Sequence, residues 1–297
     1  CVELKELRDF QEDLRDQLLE IISGFDADGN RAILTLPTGA GKTRTTVEAL
    51  VSWLVRQDLE RPKVVWIAQS DELCEQAVQS FREVWFDRGH RGCSERKTLT
   101  IGRLWAGRNA DLNECDVIVA SIQKLHAAAG GKGHELTPED VEIMGEITGV
   151  VVVDEAHRAL APTYGSVLSS LGINFRRKRN PTALVGLTAT PRRTGPEETA
   201  RLHKRFNNRI LNTTHLGADP LQSLRAQGVL AEVDFETLDY DADRIDLYSN
   251  TIHRQHYENF EEIHSSVLER LGREHRRNRR ILDRILELDP GWPVLLF

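Results

Sequence analysis

Residues 36–46 read LPTGAGKTRTT. An apolar run, RAILTL at 31–36, comes before them, and helical spacing from Lys42 to about Gln57 follows. A strand that turns through glycines into a helix is suited to gripping phosphate. Gly39 and Gly41 let the backbone curl so that successive N–H groups point inward at phosphate oxygens. The helix starting near Lys42 adds the positive end of its dipole. Lys42 can set its ammonium on the β- and γ-phosphates, and the Thr43 hydroxyl can ligate Mg²⁺. Pro37, Thr38, Ala40 and Arg44 complete the candidate nucleotide-binding stretch. The general pattern asks for glycine at the position of Leu36, a departure that leaves the P-T-G-x-G-K-T core intact. The alternative is a glycine-rich strand-to-helix turn that holds no nucleotide.

The chain on either side alternates in the same way. KVVWIA precedes DELCEQAVQSFREVWF, DVIVA precedes SIQKLHAAA, GVVVVD precedes EAHRAL, and TALVGL precedes TATP. Strands that are apolar throughout and alternate with helices predict a parallel sheet covered on both faces, an α/β fold. Such a sheet binds ligands at the carboxyl ends of its strands. An amphipathic helix is expected over residues 3–23 from the shared face of Leu4, Leu7, Phe10, Leu14 and Leu18. Beyond Asn212 a short helix, DPLQSLRAQGVL, leads to an extended AEVDFETLDY and then to a charged helical stretch, 245–288.

VVVDEAHRA lies roughly a hundred residues after the phosphate loop. Asp154 ends an apolar strand, where its carboxylate can hold Mg²⁺ opposite Thr43. Glu155 beside it can polarise an attacking water. Alone, an Asp-Glu after valines would mean little, because acids often cap helices. After a phosphate loop, in this order, the pair supplies what phosphoryl transfer needs.

Composition bounds the rest. With 297 residues, 40% hydrophobic and 29% charged, the chain is an ordinary globular protein of one large or two ordinary domains. Its net charge of −7 argues against an overall basic coat, though not against local basic patches. The four cysteines, Cys1, Cys74, Cys93 and Cys115, form no C-x-x-C pair, which points to a reducing cytoplasm rather than a disulfide or zinc framework. The charged start CVELKELRDF is unlike a secretory leader, and no apolar run is long enough for a membrane span. FDADGN misplaces the glycine of a calcium loop and reads as a turn. His253 and His256 are helix-spaced without a third ligand pattern.

LPTGAGKT, DEAH and GLTATPRR, in this order, closely resemble motifs I, II and III of superfamily 2 helicases and translocases. The resemblance covers residues 4 to about 240 and is to the DEAH-box motors of restriction and repair. It implies a RecA-like ATPase lobe using ATP and Mg²⁺, with Lys42, Asp154 and Glu155 catalytic. LRDFQ resembles the adenine-reading Q element, which places Gln11 and Arg8 on the base. His157, Thr188 and Thr190 would link the nucleotide site to the nucleic-acid face. IAQSDEL and ASIQKL resemble the nucleic-acid-contacting motifs, through Gln69, Ser70, Ser121 and Gln123. Ser70 also reads as a plain N-cap, and free amides at such helix starts can grip phosphates without reading sequence.

The basic clusters divide by edge. Arg192 and Arg193 follow TATP on the ligand edge and are candidates for touching nucleic acid or another lobe. FRRKRN at 175–180 precedes a strand, on the opposite edge, and is expected to be a solvated loop. GREHRRNRR at 272–280 reads equally as an exposed face or a DNA-contacting helix.

The family's motor has a second RecA-like lobe that supplies arginine fingers. GWPVLLF at 291–297 resembles that lobe's first strand, so the expectation is a chain cut just inside it, with weak hydrolysis as the consequence. The alternative is a natural end packed on the first lobe. The expected layout is an N-terminal helix at 1–30, the ATPase lobe at 31–215, a connector at 216–243, a helical segment at 244–290 and the second-lobe strand at 291–297. TATP and the form of motif Ia favour DNA over RNA as partner, in defence, restriction or repair. An RNA-dependent ATPase and a non-enzymatic ATP-responsive clamp are the rival readings.

Overall fold

The computed structural model describes residues 3–56, 63–92, 97–133, 136–191, 195–217, 219–231, 236–238, 250–260 and 263–294. The chain divides into two compact units, residues 1–231 and 232–297.

The first unit is built on a seven-stranded sheet. In chain order its elements are α1 (Asp9–Ile22), β1 (Arg31–Thr35), α2 (Lys42–Val55), β2 (Lys63–Ala68), α3 (Asp71–His90), β3 (Ile101–Leu104), β4 (Val117–Ser121), α4 (Ile122–Ala129), α5 (Pro138–Ile147), β5 (Thr148–Val153), α6 (Pro162–Ser170), β6 (Ala183–Thr188), α7 (Pro196–Arg205), β7 (Ile210–Leu211) and α8 (Pro220–Ala226). The strand order is β3-β4-β2-β5-β6-β1-β7, and every pair is parallel.

The continuous apolar strands have a direct cause, because both faces of the sheet are covered. Leu34, Trp66, Val152 and Val185 point into one core with α1, α2 and α3. Their neighbours Ile33, Ile67, Val151 and Leu184 point into the other with α4 to α7. Val150 to Val153 are each fully buried, and each such side chain contributes roughly 1.5–3 kcal/mol of hydrophobic stabilisation. Trp66 meets Phe81 of α3 edge to face, ring centroids 5.9 Å apart.

Register sets the ligand edge. Thr35 of β1 pairs with Thr188 of β6, Val153 of β5 with Gly186 of β6, and Ala68 of β2 with Ser121 of β4. The turns that follow β1, β5, β6, β2 and β4 therefore leave the sheet along one edge. β6 lies between β1 and β5, so its carboxyl end separates the phosphate loop from the acidic turn.

Several local expectations change. The first helix starts at Asp9, not residue 3. The Leu4 N–H donates to Asp87 Oδ1 at 2.9 Å and the Leu4 carbonyl accepts from Arg91, which holds this segment extended along α3. After β5 the chain makes a 3-10 turn, Ala156–Arg158, and α6 begins only at Pro162, because Glu155 is left-handed (φ 49°) and proline starts the helix. β3, β7 and α5 were not expected from the sequence. α5 opens with a Thr137–Asp140 capping box and has Pro138 as its first helical residue.

FDADGN is a turn in which Asp26 Oδ1 accepts from the Asp28 N–H while its Oδ2 pairs with Arg209. The loop 175–180 lies at the amino edge of β6, and Arg31 binds its Phe175 and Arg177 carbonyls. Among the described residues no helix is long and apolar enough to cross a membrane.

The second unit contains α9 (Thr251–Phe260), α10 (Ser265–Gly272) and α11 (His275–Leu286). The extended AEVDFETLDY segment lies mostly outside the described residues, as do Leu295 to Phe297; Pro293 and Val294 adopt no regular structure. Arg279 of α11 pairs with Asp283 at 3.7 Å, and Arg273 with Glu269 at 3.9 Å. His264 joins His253 and His256, with ring centroids 5.0 and 5.1 Å apart. No group of three His, Cys, Asp or Glu among the described residues could hold a metal ion.

Candidate nucleotide site and nucleic-acid edge

The phosphate loop has the backbone its glycines permit. Gly39 (φ 83°) and Gly41 (φ 89°) both lie in the left-handed region, and Gly41 is the N-cap of α2. The Ala40 N–H closes a turn onto the Pro37 carbonyl at 3.1 Å. Thr38 and Gly39 are exposed at the mouth, and Thr43 is half-buried at the first turn of the helix. Lys42 Nζ donates to the carbonyls of Leu36 at 2.9 Å and Pro37 at 3.5 Å. Burial pulls its pKa below the usual lysine range, while Glu155 and then Asp154 push it back up. Arg44 turns away and pairs with Glu48 at 2.7 Å.

Gln11 reaches this loop from α1. Its Nε2 donates to the Ala40 carbonyl at 3.1 Å, and its Oε1 accepts from the Arg8 N–H at 3.0 Å. The Arg8 residue itself is exposed at the start of the helix.

Asp154 and Glu155 differ in environment although they are adjacent. Asp154 is only 9% exposed, and its Oδ1 accepts from the Glu155 N–H at 3.0 Å. Burial first, and the Glu155 charge second, push its carboxyl up to about 6. The hydrogen bond from His157 holds Glu155 below the usual carboxylate range. A buried carboxylate to which no cationic side chain among the described residues is bonded suits a metal cation. With Thr43 at the start of α2 and Lys42 within electrostatic reach, the donor set fits Mg²⁺ carried on a nucleotide polyphosphate.

His157 joins the acidic turn to β6. Its Nδ1 lies 3.2 Å from Glu155 Oε2 and 3.2 Å from Thr188 Oγ1. Arg158 Nε donates to His157 Nε2 at 3.4 Å, and an arginine cannot accept. The neighbours thus fix the tautomer with hydrogen on Nδ1. The Thr188 hydroxyl in turn donates to the Thr190 carbonyl at 3.2 Å and accepts the Thr190 N–H at 3.1 Å.

Farther along the edge, Ser70 caps α3 through the Leu73 N–H and Ser121 caps α4 through the Lys124 N–H, each at 3.3 Å. Gln123 Nε2 donates to the Gln69 carbonyl at 2.9 Å and stitches the two helix starts together. A groove of about 630 Å³ opens there, lined by Gln69, Asp71, Ser121, Gln123, Lys124 and Lys132 among others. Lys124 and Lys132 were not singled out in the sequence. Lys124 follows the Ser121 cap by one helical turn, a signal that was available. Its Nζ is tied to Asn109 Oδ1 at 2.8 Å and to the Ala106 and Arg108 carbonyls. Arg192 and Arg193 lie outside the described residues.

Residues 4–193, more than half of the chain, match the family model described as type III restriction enzyme, res subunit. The chain is 29% identical over 170 residues to the ATP-dependent RNA helicase DHX58 of Mus musculus, covering 55% of this chain and 23% of that protein. It is 24% identical over 194 residues to IRC3 of Saccharomyces cerevisiae, covering 64% of this chain and 24% of that protein. Among solved structures, the UvsW helicase from bacteriophage T4 is similar with a TM-score of 0.49 and 17% identity, covering 71% of this chain and 63% of that one. The chain spans about a quarter of the length of these curated relatives. On its motifs, its parallel sheet and this match, the chain belongs to the family of the type III restriction enzyme res subunit, with the first RecA-like lobe of a superfamily 2 helicase.

Proposed function

We propose that this chain is the ATP-binding lobe of a motor that couples ATP hydrolysis to movement on DNA, in restriction, defence or repair. One observation carries the reading. His157 bridges Glu155, beside the phosphate loop, to Thr188, at the end of the strand between that loop and the acidic turn. That hydrogen bond ties the acidic turn to the loop after β6, which leaves the sheet along the same edge as the helix starts at Ser70 and Ser121.

Bound ATP–Mg²⁺ supplies the phosphoryl group and the metal charge. The loop amides of Gly39 to Thr43 orient the phosphates, and Lys42 exchanges the Leu36 carbonyl for phosphate oxygens. Thr43 and Asp154 would hold the cation. Glu155, kept ionised by His157, accepts a proton from the attacking water. Gln11, bonded to the loop at Ala40, would read the base together with Arg8. Gln69, Ser70, Ser121 and Gln123 line the strand-binding edge and grip phosphates through helix-start amides, with Arg192 and Arg193 as further contacts.

In such a motor a second RecA-like lobe would supply the arginine fingers. In this layout residues 31–215 are the catalytic lobe and 291–297 begin the next. The family of restriction enzymes favours DNA, whereas the mouse relative is named an RNA helicase.

The test is ATP hydrolysis titrated in parallel with duplex DNA, single-stranded DNA and RNA. Stimulation by DNA that Lys42→Ala removes supports the proposal. Stimulation by RNA alone selects the RNA motor, and none by any of the three selects a nucleotide-responsive clamp.

A further inference from the structure

α7 carries no residue of the phosphate loop or of the acidic turn, yet its last turn bonds to the segment that follows β6 and to the end of the acidic turn. His203 Nε2 lies 2.7 Å from the Pro191 carbonyl oxygen, one residue beyond Thr190. A carbonyl only accepts, so Nε2 carries the hydrogen and donates it. Two residues on, Arg205 Nη1 donates to the carbonyl of Ala159, the residue that ends the 3-10 turn begun at Glu155. The same guanidinium stacks over the Phe175 ring, 4.5 Å from its centroid.

Packing adds a third connection. Leu202 and Phe206 are fully buried. Phe206 follows α7 directly and closes over Gly186 of β6, where Ala156 of the acidic turn also sits. A Cβ on Gly186 would come within 2.7 Å of Ala156 Cβ and 2.8 Å of the Phe206 ring. Glycine at this strand position is what lets the acidic turn and the end of α7 close on the same point of β6.

We propose that the last turn of α7 is a brace, in which His203 and Arg205 are positioning residues that make the Glu155–Ala159 turn and the Thr188–Pro191 loop move as one body. One direct link between those segments is the His157–Thr188 hydrogen bond. A single bond between side chains is a weak transmitter. A packed helix that grips a carbonyl in each segment adds two further ties, so a shift of one segment is carried to the other. The brace rests on the reading of the chain as a nucleic-acid-coupled ATPase.

The test measures coupling rather than activity. A fluorescein-labelled DNA oligonucleotide is titrated with the full chain in Mg²⁺, with and without a non-hydrolysable ATP analogue. The ratio of the two affinities is the coupling between sites, expected at about fivefold or more in the unaltered chain. His203→Ala should bring the ratio to near one while affinity for the analogue alone stays within about twofold. His203→Gln, which keeps an N–H donor, should restore it. Arg205→Lys, which keeps one donor to Ala159, should retain more coupling than Arg205→Ala.

A His203→Ala chain that melts lower yet keeps the full ratio overturns the brace and leaves the proposed function standing. A ratio of one in the unaltered chain overturns both together.

Discussion

The Gln11 side-chain amide occupies the space that a Cβ on Gly41 would need. Gly41 is at φ 89° and caps α2, so an added side chain is opposed twice, by backbone strain and by Gln11. Gly41→Ala should therefore weaken nucleotide binding by about tenfold or more, measured with a fluorescent ATP analogue. Gln11→Ala removes the obstacle, and the double variant should recover part of the loss. A Gly41→Ala chain that binds as tightly as the original contradicts this loop geometry.

His157 and Thr188 give a separate test of communication. Thr188→Ala leaves the phosphate loop untouched and removes one acceptor of the His157 Nδ1–H. The KM for ATP should change little, whereas nucleic-acid-stimulated turnover should fall by about fivefold to tenfold, the order of one lost hydrogen bond. Thr188→Ser should behave like the original. Equal loss in the Ser variant would point to packing of the threonine methyl instead.

Asp154 predicts a pH dependence with a definite sign. Its carboxyl is pushed up to about 6 by burial first and by Glu155 second. Between about 4 and about 6 the folded chain holds a proton that the unfolded chain has released. This group's contribution to stability thus falls as pH rises through that window and stays low above it. The nucleotide-free Asp154→Asn chain should melt higher than the original at neutral pH, by on the order of a few degrees. The two should converge near pH ~4. A variant that melts lower at neutral pH would show that the carboxylate is satisfied in a way this site does not display.

Cys74 reports on the packing of α3. It is fully buried, and burial, followed by Asp71 and Asp154, pushes its thiol up to about 12. A maleimide at neutral pH should leave it unmodified in the native chain and modify it in denaturant. Rapid native labelling of this residue would mean that α3 does not seat on the sheet as described.

Much of this architecture was legible because local chemistry demanded it. The glycines of PTGAGKT announce a backbone with positive φ before a helix, and strands such as VVVV need cover on both faces. What escaped depends on distant partners. The extended start at Leu4 is decided by Asp87, more than eighty residues away. β3 is a four-residue strand at the sheet edge with half its residues only partly buried, too short to stand out from a loop. The position of β6 between β1 and β5 is a property of strand order, which no single segment encodes. At the site, the positions of Lys42, Asp154 and Glu155 could be read directly, whereas the grip of Lys124 on the 106–109 loop needed coordinates.

The most direct measurement is calorimetric titration of Mg²⁺–ATP into this chain and into Lys42→Ala. The account predicts saturable binding at one site per chain that the variant loses while its melting temperature holds. Equal binding by both proteins, or heat from neither, would contradict the assignment of Gly39 to Thr43 and Asp154 as a nucleotide site.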